Sequence, residues 1–291
     1  MDSRERFFHA RDVLRPIVVN TPLLHSASFS AACGNDVYFK PENMQLTGAY
    51  KIRGAYYKIA QMGEAARARG LVTSSAGNHA QGVAYAAKCM GAKAIIVMPT
   101  TTPLVKVNNT KKHGATVILA GDGYDEAYAR ARSLEEQEGC TFVHPFNDLD
   151  IATGQGTVAV EILEEMPDTD IILVPIGGGG LAAGVSTFVK LMNPKIRVVG
   201  VEPKGAACMA VSLQKGEVSS LAFVDTIADG VAVKTPGDKI FPFVRSHLDE
   251  IILVDDAEIP NAFLDMTEHH KMVVENAGLI SVAALKHLNV T

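Results

Sequence analysis

The sequence predicts an α/β fold with two open, mostly parallel sheets flanked by helices. Three observations carry that prediction. Short β-rich runs alternate with helical patterns that mostly span about 10–15 residues, the alternation of a helix-covered parallel sheet. The strand runs are continuously apolar, as in Ile95-Ile96-Val97, which suits strands buried on both faces. Finally, 291 residues with 47% hydrophobic and 20% charged content are enough for one large domain or two ordinary ones, each with its own core.

Taken in order, the first strand covers 37–40. A helix over 52–62 follows Thr47-Gly48. A strand over 70–73 ends in small polar residues, and a helix over 78–90 begins near Asn78. Strands over 94–98, 116–119 and 141–144 alternate with helices over 103–113 and 124–138. The second series runs helix 154–165, strand 171–176, helix 181–192, strand 197–201, helix 239–248, strand 251–254 and a helix from 260 to about 270. No tandem repeat or low-complexity linker interrupts the pattern. Residues 45–147 hold compact βα units of their own and form a small domain. Residues 1–44 and 148–291 form the large one, with a cleft between the two. Ligands of such sheets sit beyond the carboxyl ends of strands, so loops that follow strands are the informative ones.

Composition narrows the partners. Lys+Arg 27 against Asp+Glu 32 gives a net charge of -5, which argues against nucleic acid, because phosphate neutralisation needs a basic surface. Cys33, Cys89, Cys140 and Cys208 have no zinc spacing and suit free thiols in a reducing cytoplasm. The first fifteen residues lack the apolar core of a signal peptide. One uncharged stretch, 171–189, reaches membrane length, but Pro175 and Gly177-Gly178-Gly179-Gly180 split it into strand, turn and helix, so no membrane span is expected.

Three loops carry chemistry. Gly177 to Gly180 lie between a strand and a helix start, where free N–H groups and the helix dipole make a phosphate cradle. A tight turn needs one or two glycines, and four imply a close approach to the backbone. The same stretch also satisfies G-x-G-x-x-A through Gly177, Gly179 and Ala182. Glu202 ends the next strand near the ~20-residue spacing of a ribose-binding acid, so a dinucleotide-dependent oxidoreductase fits it as well. The second loop, Ser75-Ala76-Gly77-Asn78-His79, opens a helix whose N–H groups suit a carboxylate; capping is the alternative role for Ser75 and Asn78. In the third, Lys51 starts a helix. The dipole there disfavours a cation, so it lowers the cost of the neutral amine that a Schiff base requires.

Together, Gly48-Ala49-Tyr50-Lys51-Ile52-Arg53-Gly54-Ala55, Ser75-Ala76-Gly77-Asn78-His79-Ala80-Gln81-Gly82 and the glycine tetrad resemble the three signatures of the fold-type II pyridoxal-phosphate enzymes, whose fold is tryptophan synthase β-like. The branch most similar is threonine dehydratase (threonine ammonia-lyase), including its catabolic serine/threonine form. The resemblance spans about Thr21 to Leu288. It implies pyridoxal 5'-phosphate held by Lys51, its phosphate cupped by Gly177, Gly178, Gly179 and Gly180, and its hydroxyl bonded by Asn78. Ser75, Gly77, Asn78 and His79 would surround the substrate carboxylate, and the large domain would carry the cofactor. The implied reaction is β-elimination of L-threonine, and of L-serine too, to a 2-oxo acid and ammonia. In it Lys51 removes the α-proton and the cofactor phosphate helps the hydroxyl leave. A homodimer or homotetramer is implied with it.

Departures from the pattern sharpen these expectations. Ala49-Tyr50 replaces the usual Ser-Phe and keeps an aromatic wall. Ala76 stands where related racemases carry a serine as second-face base, which favours a dehydratase. Cys208 replaces an acid that would pair with Glu202, and His269-His270 face different ways on one helix, so no metal site is expected. The family continues into a strand and a Ser-Gly-Gly-Asn-type loop, whose serine contacts the pyridine nitrogen. The sequence stops at Asn289-Val290-Thr291, so a fragment lacking the end of the large domain is expected. A non-catalytic protein that binds the cofactor or an amino acid therefore stays open beside the lyase.

Overall fold

A computed structural model describes residue 1 and residues 3–288; the expectations about residues 289–291 lie outside the described residues. The chain opens with α1 (Arg4–Leu14), β1 (Leu24–His25), α2 (Ala27–Cys33) and β2 (Tyr38–Phe39). It continues through α3 (Lys51–Gln61), α4 (Glu64–Ala68), β3 (Leu71–Ser74), α5 (Asn78–Cys89), β4 (Ala94–Met98), α6 (Leu104–Lys112), β5 (Thr116–Leu119), α7 (Tyr124–Glu138) and β6 (Thr141–Phe142). The remainder is α8 (Leu149–Glu165), β7 (Ile171–Pro175), α9 (Gly180–Met192), β8 (Arg197–Pro203), α10 (Cys208–Lys215), α11 (Phe241–His247), β9 (Glu250–Val254), α12 (Ile259–His270) and α13 (Asn276–Ala283).

Two parallel sheets form, as the apolar runs predict. One has four strands in the order β5-β4-β3-β6, with Leu71 opposite Ala94 and Thr141. The other has three in the order β7-β8-β9, with Ile171 opposite Arg197. The sequence pattern misses a third pairing, the antiparallel β1–β2, in which Leu24 faces Phe39. It also misses five helices: α1, α2, α4, α10 and α13. Four of these are short, and α1 hides its three buried residues, Phe7, Ala10 and Leu14, among charges. α8 begins five residues earlier than expected because Asp148 caps it, its carboxylate accepting the N–H groups of Asp150 (2.8 Å) and Ile151 (3.1 Å).

The helices that hold the site are locked by close crossings. A Cβ on Gly154 of α8 would lie 2.8 Å from the Cα of Gly54 in α3. A Cβ on Gly184 of α9 would lie 2.0 Å from the Ala152 carbonyl oxygen of α8. Helix α8 is therefore a spine against which α3 and α9 both rest at backbone distance. The apolar cluster beside it combines Phe7 and Phe188 with Val174 and Val198 of the three-stranded sheet.

Candidate active site

Lys51 is the first residue of α3, as its setting after Gly48 predicts. Its Nζ donates to the Pro145 carbonyl at 2.9 Å and lies 5.5 Å from the Tyr50 ring centroid. Burial pushes its pKa down to about 8, against the opposing pull of the Glu275 carboxylate. Desolvation is thus the main source of the easily neutralised amine, a contribution that the helix-start argument did not foresee. A cavity of about 930 Å³ opens in front of it, lined by Gly48, Ala49, Tyr50, Lys51, Asn78 and Glu275 among others.

The glycine loop joins β7 to α9. Among the described residues no acceptor takes the backbone N–H of buried Gly178 or Gly179, and the first helical bond of α9 is Ala183 N–H to Gly179 O. The helix start therefore offers unsatisfied donors with a positive dipole end, which fits a phosphate. The glycines themselves have a second cause. A Cβ on Gly178 would come within 2.3 Å of the Phe146 ring, one on Gly180 within 3.0 Å of the Phe146 backbone, and one on Gly177 within 3.0 Å of the Val231 Cα. Gly179 has φ +98°, in the left-handed region. Internal packing thus explains the tetrad's small size, and the ligand argument rests on its N–H groups. Pro145 and Phe146 bring Lys51 and the loop together, since one takes the amine and the other covers the glycines. The sequence reading passed over both residues.

At the start of α5 the first helical bond is Gln81 N–H to Gly77 O, so the N–H groups of Asn78, His79 and Ala80 have no acceptor among the described residues. The Ser75 hydroxyl accepts the Gly77 N–H at 3.3 Å. The His79 imidazole turns away from the cavity and binds the Val143 carbonyl through Nε2 at 3.0 Å. Burial drives its pKa down to about 3, so the ring is neutral, and only its backbone can meet a substrate. The Asn78 amide faces the cavity and donates to Glu275 Oε1 at 2.8 Å. Nothing in the sequence pattern marks Glu275. Of the cofactor- and substrate-binding residues expected from sequence, Lys51 and Asn78 border the cavity. Ser75, Gly77, His79 and the four glycines do not, although Pro175 and Leu181 on either side of the tetrad do.

The dinucleotide alternative depended on Glu202, which the structure places elsewhere. Glu202 is fully buried, and its two oxygens accept the N–H groups of Met209 (2.9 Å) and Ala210 (2.8 Å) at the start of α10. A ribose cannot reach it. His270 is likewise engaged, its Nε2 lying 2.7 Å from the Ser26 hydroxyl.

A desolvated, readily neutral lysine on a helix start, together with two further helix starts that offer free N–H groups, suits an aldehyde cofactor that carries an anion. Over residues 14–290 the chain matches the family described as pyridoxal-phosphate dependent enzyme, and it belongs to that family. It is 46% identical to an L-threonine ammonia-lyase of Thermotoga maritima over 98% of this chain and 71% of the relative. Among solved structures it superposes on maize serine racemase with a TM-score of 0.95 (39% identity, 98% of this chain and 86% of that one). A threonine deaminase from Solanum lycopersicum gives 0.94 (37% identity, 99% and 80%). The two-sheet architecture is the fold-type II architecture of these enzymes.

Proposed function

We propose that this chain dehydrates and deaminates L-threonine, and L-serine as well, giving 2-oxobutanoate or pyruvate plus ammonia. The observation that carries the reading is the Lys51 amine, desolvated at the head of α3 and bordering a cavity that Asn78 shares. The names of its relatives point to the same substrate. Ala76, which has no transferable proton, favours elimination over racemisation. In this reading the cofactor is held by Lys51, by the N–H groups at Gly177, Gly178, Gly179 and Gly180, and by Asn78.

Pyridoxal phosphate, when bound, draws electrons from the substrate's α-carbon and so makes the α-hydrogen acidic. The chain's own groups do the rest. The free N–H groups of Asn78 and His79 hold the substrate carboxylate at the positive end of α5, and Ser75 and Gly77, bonded to each other, shape the turn beside it. The neutral Lys51 amine takes the α-proton. The C–O bond at the β-carbon then breaks, and the hydroxyl takes its electron pair and one proton, equivalent to the one Lys51 removed, and leaves as water. The released enamine tautomerises and hydrolyses to the 2-oxo acid and ammonia. Glu275 fixes one amide hydrogen of Asn78 and leaves the other for the cofactor.

Residues 45–147 are proposed as the smaller unit facing residues 1–44 and 148–291, a division supported by the confinement of each parallel sheet to one side of it. Two or four copies in the cytoplasm complete the proposal. No described helix is long and apolar enough to cross a membrane. The test is borohydride reduction of the cofactor-loaded protein followed by peptide mapping, together with an assay of threonine turnover. Label on the peptide carrying Lys51, with release of 2-oxobutanoate, is expected. Label on another lysine, or a labelled protein inert to threonine and serine, rejects the reading.

A further inference from the structure

Two residues beyond Lys51, in the same first turn of α3, stands the most buried cation of the described chain. Arg53 has no solvent-exposed surface, and every edge of its guanidinium is engaged. Nε and Nη2 hold the two oxygens of Glu42 at 2.8 and 2.9 Å. Nη1 and Nη2 hold the two oxygens of Glu161 in α8 at 2.6 and 2.8 Å. Nη1 also donates to Thr157 Oγ1 at 3.2 Å, and Nη2 reaches the Val19 carbonyl at 3.5 Å. Lys40 closes the group, with its amine 2.7 Å from Glu161 and bonded to the Thr21 carbonyl. Glu42 also accepts from the Thr21 hydroxyl at 2.8 Å. Two cations and two carboxylates thus balance, and they join four separate stretches of chain.

This placement runs against local preference. The first turn of a helix favours anions, and a buried guanidinium is costly unless fully paired. The sequence meets that cost with carboxylates from two other elements, and only the planar fork of arginine binds both in a bidentate way. Residues two apart on a helix do not face each other. Arg53 therefore cannot act on the Lys51 amine directly. It can act through the backbone turn that they share, in which Arg53 N–H bonds the Tyr50 carbonyl at 3.0 Å. That turn is further pressed by α5, where a Cβ on Gly82 would lie 3.1 Å from the backbone of Lys51 and Ile52.

We propose that Arg53 is a positioning residue for Lys51: clamped by Glu42 and Glu161, it seats the first turn of α3 so that the Lys51 amine stays in its desolvated slot against the Pro145 carbonyl. The proposal rests on the reading of Lys51 as the reactive amine. Loosening the clamp admits water to the slot, and the amine drifts toward ordinary lysine behaviour, protonated and less able to take a proton from substrate.

The test titrates Lys51 in the full chain without cofactor, by competitive acetylation across pH and mass spectrometry of the Lys51 peptide. Each variant is measured well below its own melting midpoint. Arg53→Lys is expected to lower the neutral fraction of Lys51 at neutral pH by about 3-fold or more. In the loaded enzyme it should lower kcat by about 10-fold, with KM changed less than about 3-fold. Glu161→Gln, which keeps the shape of its side chain, should move both in the same direction and serves if Arg53→Lys does not fold. Lys58→Met removes ion pairs to Asp148 and Asp150 from the far end of the same helix. It should lower the melting temperature and leave the Lys51 titration in place. A wild-type titration in Arg53→Lys and Glu161→Gln, with only stability reduced, overturns the proposal. So does an equal shift in Lys58→Met. The labelling needs neither cofactor nor substrate, so a protein inert to threonine defeats the proposed reaction and leaves this result to decide the role of Arg53.

Discussion

Glu202 shows how far a single residue can depart from its sequence pattern. Its position after β8 suggests a ligand-binding acid, yet it accepts two backbone N–H groups inside the protein. Burial raises its pKa to about 7, against those N–H groups, which pull it down. The folded state therefore favours the neutral acid more than the unfolded chain does. The associated stability is fully present below the ordinary carboxyl value and is lost as pH rises through about 7. Glu202→Gln should remove this dependence. Measured by urea unfolding, the wild type should lose stability relative to that variant between about pH 5 and pH 8, by up to ~3 kcal/mol. A wild-type-to-variant difference that stays flat across that range would show a carboxylate ionised throughout. Lys51 behaves oppositely to Glu202 as a lesson in legibility. Its helix-start setting and motif neighbours were readable in the sequence, and the structure adds only the burial that depresses its pKa. The turned-in imidazole of His79 and the Asn78–Glu275 bond depend on chain segments far apart in sequence, which no local pattern reports.

Strand positions were the most readable elements, because a strand buried on both faces leaves a run of Ile and Val that little else produces. Helix starts were less readable. Asp148 caps α8 from within a stretch that looked like loop, and Gly154, where the helix was expected to start, is instead a mid-helix contact point. The glycine crossing of α8 with α9 carries a test. Gly184→Ala would place a Cβ 2.0 Å from the Ala152 carbonyl, so α8 and α9 must separate. Alanine improves helix propensity by ~1 kcal/mol, but overpacking costs roughly 1–3 kcal/mol, and the strain should prevail where backbone is the obstacle. A net loss of about 1–2 kcal/mol in chemical denaturation is expected, with weaker cofactor binding because α9 carries the glycine loop. Gly63→Ala, where nothing lies within 4 Å, should change stability by less than about 0.5 kcal/mol. Equal effects at the two sites would remove the spine role from α8.

At the scale of the molecule, the two parallel sheets and their order along the chain were legible, while the antiparallel β1–β2 pair and α1 were not. Both belong to the first forty residues, where runs are too short or too charged to show a period. The whole fold should report its ligand by mass action. Pyridoxal phosphate at 100 times its dissociation constant adds ~2.7 kcal/mol to the stability of a protein that binds it only when folded. The melting temperature should rise by several degrees with pyridoxal phosphate and stay unchanged with NAD, since the acid that a ribose needs is enclosed. A rise with NAD alone would restore the dinucleotide reading.

Helix α1 also sets a timetable. Phe7 meets Phe188 at a ring-centroid distance of 5.3 Å, and Arg6 pairs with Asp150 at 2.6 Å. On a ribosome adding ~5–20 residues per second, roughly 10–40 s separate the appearance of Phe7 from that of its partner. Throughout that interval Phe7 is made and waits for Phe188, whereas Ala10 and Leu14 meet Tyr57 of α3 much earlier. Helix α1 is thus made well before its packing is complete. Part of its apolar stripe stays unburied until α9 emerges, and during that interval Phe7 is what a holding chaperone would meet.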